Sequence, residues 1–270
     1  MPSRLRNLAK KAALSLVYQS PPLPRRIHGN LVWVHPRAWF SISAKTFFQG
    51  EPHVRKWLAE QLGPGQVFFD VGAHHGWMSM WALPLVGKEG AVHSFEPSPA
   101  NLAILEWHRR TNRFAGWTIV PKAVSDEDAA SKRLFLIDSG DSPMNSLTAG
   151  VPGTPLMKGR DITTMPIPTV SLDTYCAETG VRPDLLKVDV EGAELLVLQG
   201  ARNLLSESHP SLIVAVHPYW LPKGQSPAQI RELLTAHGYA VFDSKGQPVG
   251  SLASGEHLCL HGHAKSTTIP

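Results

Sequence analysis

The chain has 270 residues, 43% hydrophobic and 18% charged, enough to bury the core of one large α/β domain with an appendage, in proportions ordinary for a soluble protein. No apolar run approaches the roughly 20 residues of a membrane-spanning helix, so the chain is not expected to cross a bilayer. The formal charge of +4 and pI of about 9.1 arise in the N-terminal segment, where Arg4, Arg6, Lys10, Lys11, Arg25 and Arg26 stand with no acid among them, and the near-neutral remainder argues against a nucleic-acid-binding surface.

Within residues 1–20, Leu5, Leu8, Ala12, Leu16 and Val17 recur at near-helical spacing until Pro21, Pro22 and Pro24 stop the helix. Two readings stand: a leader helix that is solvated or packed on the domain, and a basic amphipathic helix resting on anionic lipid. The alternation in LVWVHP and AWFSIS predicts a short hairpin-like appendage over 31–48, and HVRKWLAEQL predicts a helix closed by Gly63-Pro64-Gly65. The expected division is residues 1–60 for helix and appendage, 61–263 for the main domain and 264–270 for a tail.

The main domain opens on VFFDVGAHHG, Val67 to Gly76, a strand feeding a small-residue turn and then a helix cut short or kinked by Pro84. AVHSFEP is a second strand tipped by Glu96, NLAILEWHRRTN a helix and WTIVPKAV a third strand, which together make half of a doubly wound sheet. Between Lys132 and Val170 the rhythm breaks into an antiparallel pair joined by a loop-rich excursion, expected at the sheet edge or over the site. Strands over DLLKVDV and SLIVAVHP follow, with one helix between them over AELLVLQGARNLL. A helix over PAQIRELLTAHG and an antiparallel pair, YAVFDS with HLCLHGH, close one side.

Ligands in such sheets sit at the carboxyl ends of the strands. Those ends are Asp70 with the Gly72 turn, Glu96, Ala123, Asp189 with Glu191, and His217. The turn admits close approach of an anionic group to backbone N–H donors, and an acid at the tip of the second strand is placed to accept two ribose hydroxyls. His74 occupies the second glycine position of GxGxxG, which weakens a dinucleotide reading. Lys187, Asp189 and Glu191 alternate charge along a strand that should be apolar, so either Lys187 and Asp189 form a local ion pair or Asp189 has a role in the site. His217, with an unperturbed pKa near 6.5, is expected to be mostly neutral at pH 7 and to act as general base. His257, His261 and His263 have no partner at metal-ligand spacing and are assigned to an edge strand and the tail. Cys176 and Cys259, far apart and outside any CxxC spacing, point to a reducing, cytoplasmic compartment and against a disulfide framework or cysteine zinc site.

DVGAHHGWMS, HSFEPSPANLAIL, VPKAVSDED, DSPMNSL, TVSLDTY, LLKVDVEGAELLVLQGA and LIVAVHP, in order from about Pro64 to Tyr219, resemble the FkbM family of S-adenosylmethionine-dependent methyltransferases. The resemblance implies the Rossmann-like class I methyltransferase fold: a mostly parallel seven-stranded sheet in the order 3-2-1-4-5-7-6, with helices on both faces. It implies methyl transfer from S-adenosylmethionine to a hydroxyl oxygen, on a sugar, a glycolipid or a polyketide-type molecule. Asp70, Gly72, Ala73, His74 and Gly76 would surround the methionyl part, Glu96 and Pro97 the ribose and Ala123 the adenine. The family usually has Asn where His74 stands, and both residues tolerate positive φ.

Asp189 is expected to orient the acceptor or to help hold cofactor. A divalent metal ion held by Asp189 and Glu191 is the less favoured alternative to a His217 base. The competing function classes are a nucleotide-sugar or NAD-type enzyme and a non-catalytic binding module. Trp39, Tyr219 and Trp220 are candidates for stacking on a sugar face.

Overall fold

The computed structural model describes residues 20–41, 51–138, 140, 142–148 and 160–262, without the side chains of 39–41. Residues 1–19, which carry most of the expected basic helix, lie outside them, as do the side chain of Trp39 and all of His263.

β1 (Leu23–Ile27) and β2 (Asn30–Val34) pair as an antiparallel hairpin about His28-Gly29. Both turn residues have positive φ, 45° and 79°, which gives a two-residue turn the backbone twist of the flanking strands. The hairpin therefore begins before Leu31, where one was expected, and the AWFSIS stretch instead enters helix α1 (Pro36–Ser41), with Pro36 at a first-turn position that requires no N–H. Ile27 and Val32 point from the hairpin into the domain core. Helix α2 (Pro52–Gln61) follows, and its Val54, Trp57 and Leu58 are buried against the same core.

The βαβ unit is β3 (Val67–Val71), α3 (Trp77–Val86) and β4 (Ala91–Phe95). Pro84 falls in the last turn of α3, where it forfeits one ladder hydrogen bond, so the helix continues to Val86 instead of stopping short. Next come α4 (Pro99–Asn112), β5 (Trp117–Val120) and β6 (Ala123–Val124). The expected single third strand is thus two. Pro121, which has no N–H for the ladder, ends β5, and Ala123 and Val124 leave the main sheet to pair with β8.

β7 (Ala129–Ile137) and β8 (Ile162–Val170) are the expected antiparallel pair, and with β6 they make a separate three-stranded sheet. The order is completed by α5 (Leu172–Thr179), β9 (Leu185–Val188), α6 (Glu194–Gln199), α7 (Arg202–Glu207), β10 (Ser211–Val216), α8 (Pro227–Ala236), β11 (Tyr239–Phe242) and β12 (Gly255–His261). The helix expected over AELLVLQGARNLL is broken between α6 and α7 at Gly200 and Ala201, and Gly200 packs so close to the Ser125 carbonyl that a side chain would not fit there.

The main sheet runs β11-β12-β10-β9-β3-β4-β5, with β12 antiparallel to both neighbours and every other pair parallel. Counted along the domain this is the order 3-2-1-4-5-7-6. β12 is interior and β11 forms the edge, so His257 is buried between strands instead of lying on an edge strand. Successive strand residues face opposite layers. Phe69, Val71, Leu186, Val188 and Val214 pack beneath α5 to α8, whereas Phe68, Leu185 and Ile213 pack beneath α2 and α3. Each fully buried side chain of this size contributes roughly 1.5–3 kcal/mol. The two layers hold the strand ends in register.

Candidate active site

The β3–α3 turn depends on backbone geometry that few residues supply. Gly72 has φ of 81°, and a Cβ there would occupy the position of the Asp189 carbonyl. Its N–H and that of Ala73 both donate to the Phe95 carbonyl, at 3.0 and 3.1 Å, which ties the turn to the end of β4. His74 takes φ of 51°, in the left-handed region where His is one of the better-tolerated residues, and its ring stacks on His75 at 3.7 Å. Gly76 caps α3 and packs against Leu105 and Trp117. It supports the turn and lines neither of the two cavities beside it.

Glu96 is 5% exposed. One carboxylate oxygen accepts the His74 N–H at 2.9 Å, and the other accepts the Ser98 N–H at 2.9 Å and the Asn101 amide at 3.1 Å. Burial pushes its pKa up to about 7 despite these donors. Glu96 therefore joins the glycine turn to the start of α4 as well as standing at the strand tip.

A cavity of about 510 Å³ opens beside it, lined by Gly72, His74, Glu96, Pro97, Ala123 and Asp189 among others. The 142–148 segment covers it: Ser146 pairs with Phe135 and donates its hydroxyl to the Glu191 carbonyl at 2.7 Å, and Thr148 donates to the Trp220 carbonyl at 3.0 Å. The excursion thus lies over the site, as one of the two expected placements had it. Asn101, 1% exposed, leaves Oδ1 without a hydrogen-bond partner among the described residues while its residue lines this cavity.

A second cavity of about 570 Å³ adjoins the first through Gly72, His74, Pro143 and Asp189, and adds Glu51, Asp70, Ala73, Trp77, Lys187 and Glu191. Asp70 is 1% exposed and accepts the Ser79 hydroxyl at 2.5 Å. Lys187 Nζ lies 2.9 Å from Asp189 Oδ2 and 3.8 Å from Asp70 Oδ1. Burial alone would lower the Lys187 pKa, but the flanking carboxylates raise it, so the ammonium stays charged. Burial raises Asp189, and the charges of Lys187 and His217 more than offset this and hold it below its ordinary value. The ion pair posed for Asp189 is present, and the paired residue lines both cavities.

His217 is held by Glu194, whose Oε1 lies 2.7 Å from Nδ1. Its Nε2 lies 3.8 Å from Asp189 Oδ1 and 3.7 Å from Glu191 Oε2. Burial alone would lower its pKa. The Glu194 hydrogen bond and the Asp189 and Glu191 charges raise it instead, to about 9. At about 9 the protonated ring is favoured at pH 7, where the sequence led to the expectation of a neutral base. Glu194, fully buried, also accepts the Gly192 N–H at 2.9 Å.

Residue reasoning missed Glu51, Asn101 and Glu194. Glu194 follows Glu191 at i+3 in DVEGAE, a readable signal, and Asn101 lies on the first turns of the helix after FEP. Glu51 carries none. It is half-buried with φ of 52°, and burial, with the neighbouring Asp189 charge, pushes its pKa up to about 7. Of the stacking candidates, Tyr219 is 66% exposed, and Trp220, at 6%, is a packing residue.

A seven-stranded sheet in this order, with a glycine turn after its first strand, an acid ending the second and paired cavities at the strand ends, defines the class I methyltransferase architecture. The family model described as "Methyltransferase FkbM domain" matches residues 70–241. The chain belongs to this family and is a methyltransferase. It is 31% identical over 201 residues to the 31-O-demethyl-FK506 methyltransferase FkbM of Streptomyces tacrolimicus, covering 67% of this chain and 75% of the relative. It is 28% identical over 188 residues to the hexuronic acid methyltransferase AglP of Haloferax volcanii, covering 69% of each. Among solved structures, an FkbM methyltransferase from Methylobacillus flagellatus KT matches with TM-score 0.47 at 16% identity, over 77% of this chain and 50% of that one. A likeness of that degree assigns no residue here.

The cavities fit the family's cofactor. The unpartnered Asn101 Oδ1 and the Glu96 carboxylate offer acceptors to ribose hydroxyls, and the carboxylate-rich second cavity suits a positively charged sulfonium and ammonium.

Proposed function

We propose that the protein transfers a methyl group from S-adenosylmethionine to a hydroxyl oxygen of a small acceptor of sugar, glycolipid or polyketide type. What carries this reading is the pair of adjoining cavities that share Asp189, one with ribose acceptors and the other lined by carboxylates and a buried ammonium. The two relatives, a 31-O-demethyl-FK506 methyltransferase and a hexuronic acid methyltransferase by name, support oxygen as the target.

When bound, the cofactor supplies a methyl group on a sulfonium that leaves as a neutral thioether. Glu96, Asn101, Pro97 and Ala123 would hold its nucleoside, and Gly72, Ala73, His74 and Asp70 its methionyl part. Asp189, pinned by Lys187, orients the groups that meet where the cavities join, and the 142–148 segment keeps water out. Glu51 takes the hydroxyl proton as the carbon–oxygen bond forms. Glu51 lines the second cavity, with Asp189, Lys187, Glu256 and Asp70 as its charged neighbours.

The test has two parts. Calorimetry with S-adenosylhomocysteine should give at least about tenfold weaker binding to Glu96→Gln than to the wild type, equivalent to about 1.4 kcal/mol. Methyl-labelled S-adenosylmethionine, incubated with a polar and glycolipid extract of a strain lacking the gene, should yield a labelled methyl ether. Label found only on nitrogen or carbon would overturn oxygen as the target.

A further inference from the structure

We propose that Asp189, Glu191 and His217 form a binding site for one divalent cation of the Mn²⁺ or Mg²⁺ class. Asp189 Oδ1 and Glu191 Oε2 lie 3.8 and 3.7 Å from His217 Nε2, and one ligand atom from each of the three residues falls within 4.8 Å of the others. These separations are too long for hydrogen bonds. An ion between Nε2 and either oxygen can lie no closer to both than half their separation, about 1.9 Å, which admits the roughly 2.0–2.1 Å of Mg²⁺ and the 2.3–2.6 Å of Ca²⁺.

A second observation points the same way. The imidazole is aimed at this gap by Glu194, which is fully buried, holds Nδ1 at 2.7 Å and is itself held by the Gly192 N–H at 2.9 Å. A metal-ligating histidine characteristically has its other ring nitrogen bound to a carboxylate, which sets the tautomer and the ring angle. Glu191 is brought into the cluster by backbone in the left-handed region, φ of 53°, a conformation costly enough for a glutamate that its surroundings must impose it. Gly192, at φ of 99°, sits so close to the Trp220 carbonyl that it has no room for a side chain. The strand end, the Glu191-Gly192 turn and β10 thus present two carboxylates and one imidazole to a single point.

Two carboxylates and one imidazole suit Mn²⁺ or Mg²⁺ better than a soft metal. Three protein ligands leave positions for water or an acceptor hydroxyl at the edge of the second cavity, which Asp189 and Glu191 both line. The catalytic use of the ion rests on the methyl-transfer reading: a bound hydroxyl would be acidified, and its proton would go to Glu51.

The experiment is Mn²⁺ binding by electron paramagnetic resonance and calorimetry on the full chain, with no cofactor or acceptor present. The wild type should bind one Mn²⁺ per chain, and Glu191→Gln and Asp189→Asn should each weaken it at least about tenfold. Glu191→Gln keeps the shape of a side chain at the cavity wall, and circular dichroism identical to the wild type confirms that its loss is one of ligation. No saturable binding at millimolar Mn²⁺, or equal binding by a folded Glu191→Gln, overturns the site. Mn²⁺ binding and labelled-methyl transfer are independent readouts, so failure of either proposal is distinguishable from failure of the other.

Discussion

At the residue scale, the site is governed by how burial and charge divide work among its carboxylates. Glu96 and Glu51 are both pushed up to about 7 by burial, but only Glu96 is fastened by backbone and amide donors. Glu191 is likewise pushed up to about 7, and Glu51 is the carboxylate proposed to take the proton. Its raised pKa gives the sign of the pH dependence: below about pH 7 it is protonated and cannot accept, and above it is ionised and can. The kcat of the wild type should rise with pH through about 7. Glu51→Gln should remove that limb and lower kcat by roughly 10²-fold or more. A variant with the same profile as the wild type would take the proton-acceptor role away from Glu51. The charged strand DLLKVDVEGAE marked Asp189 correctly as unusual. It did not show the protonation of His217, which depends on Glu194, a residue 23 positions away that reaches the ring only after α6 and β10 pack.

At the element scale, the β3–α3 turn is where local sequence and tertiary contact coincide most closely. Gly72 needs positive φ and also has the Asp189 carbonyl where a Cβ would be. Gly72→Ala combines backbone strain of roughly 1–3 kcal/mol with overpacking of roughly 1–3 kcal/mol. Urea denaturation should show destabilisation of about 2–6 kcal/mol, and a change under 0.5 kcal/mol would mean that the turn relaxes freely. The strand–turn–helix pattern was legible because period 2 gives way to helical spacing at small residues. Three elements were misplaced for identifiable reasons. The hairpin turn at His28-Gly29 lacks the usual Asn-Gly signal, Pro121 divides an apolar run between two sheets, and a helical apolar pattern runs on through the break at Gly200 and Ala201.

At the scale of the whole molecule, the appendage is tied to the domain through a buried histidine. His108 of α4 accepts the His35 N–H at Nε2, 2.9 Å, and its Nδ1 lies 2.9 Å from the His75 carbonyl, while Asn112 exchanges two hydrogen bonds with Trp33 on β2. Burial pushes the His108 pKa down to about 3. Its ordinary unfolded value lies near 6.5, so between these values the unfolded chain binds the additional proton. The stability from a neutral His108 is therefore complete above about pH 6.5 and is lost as pH falls toward 3. Roughly 1.4 kcal/mol disappears per pH unit, about 2 kcal/mol by pH 5. The urea midpoint of the wild type should fall over this range, and that of His108→Gln should fall less. Equal slopes would remove His108 from the link. Among the described residues, no helix is long and apolar enough to cross a membrane.

The alternation of apolar residues, the glycine turn and the acid at the tip of the next strand pointed to the parallel sheet and, through the family pattern, to its strand order, because these depend on local periodicity and on backbone preferences written residue by residue. The charge environment of His217, the placing of Glu51 beside the second cavity, the packing of 142–148 over the first and the meeting of Asp189, Glu191 and His217 were decided by tertiary structure. Each depends on the distance, burial and charge of groups far apart in the chain, and those quantities exist only once the strands and their connecting loops have packed.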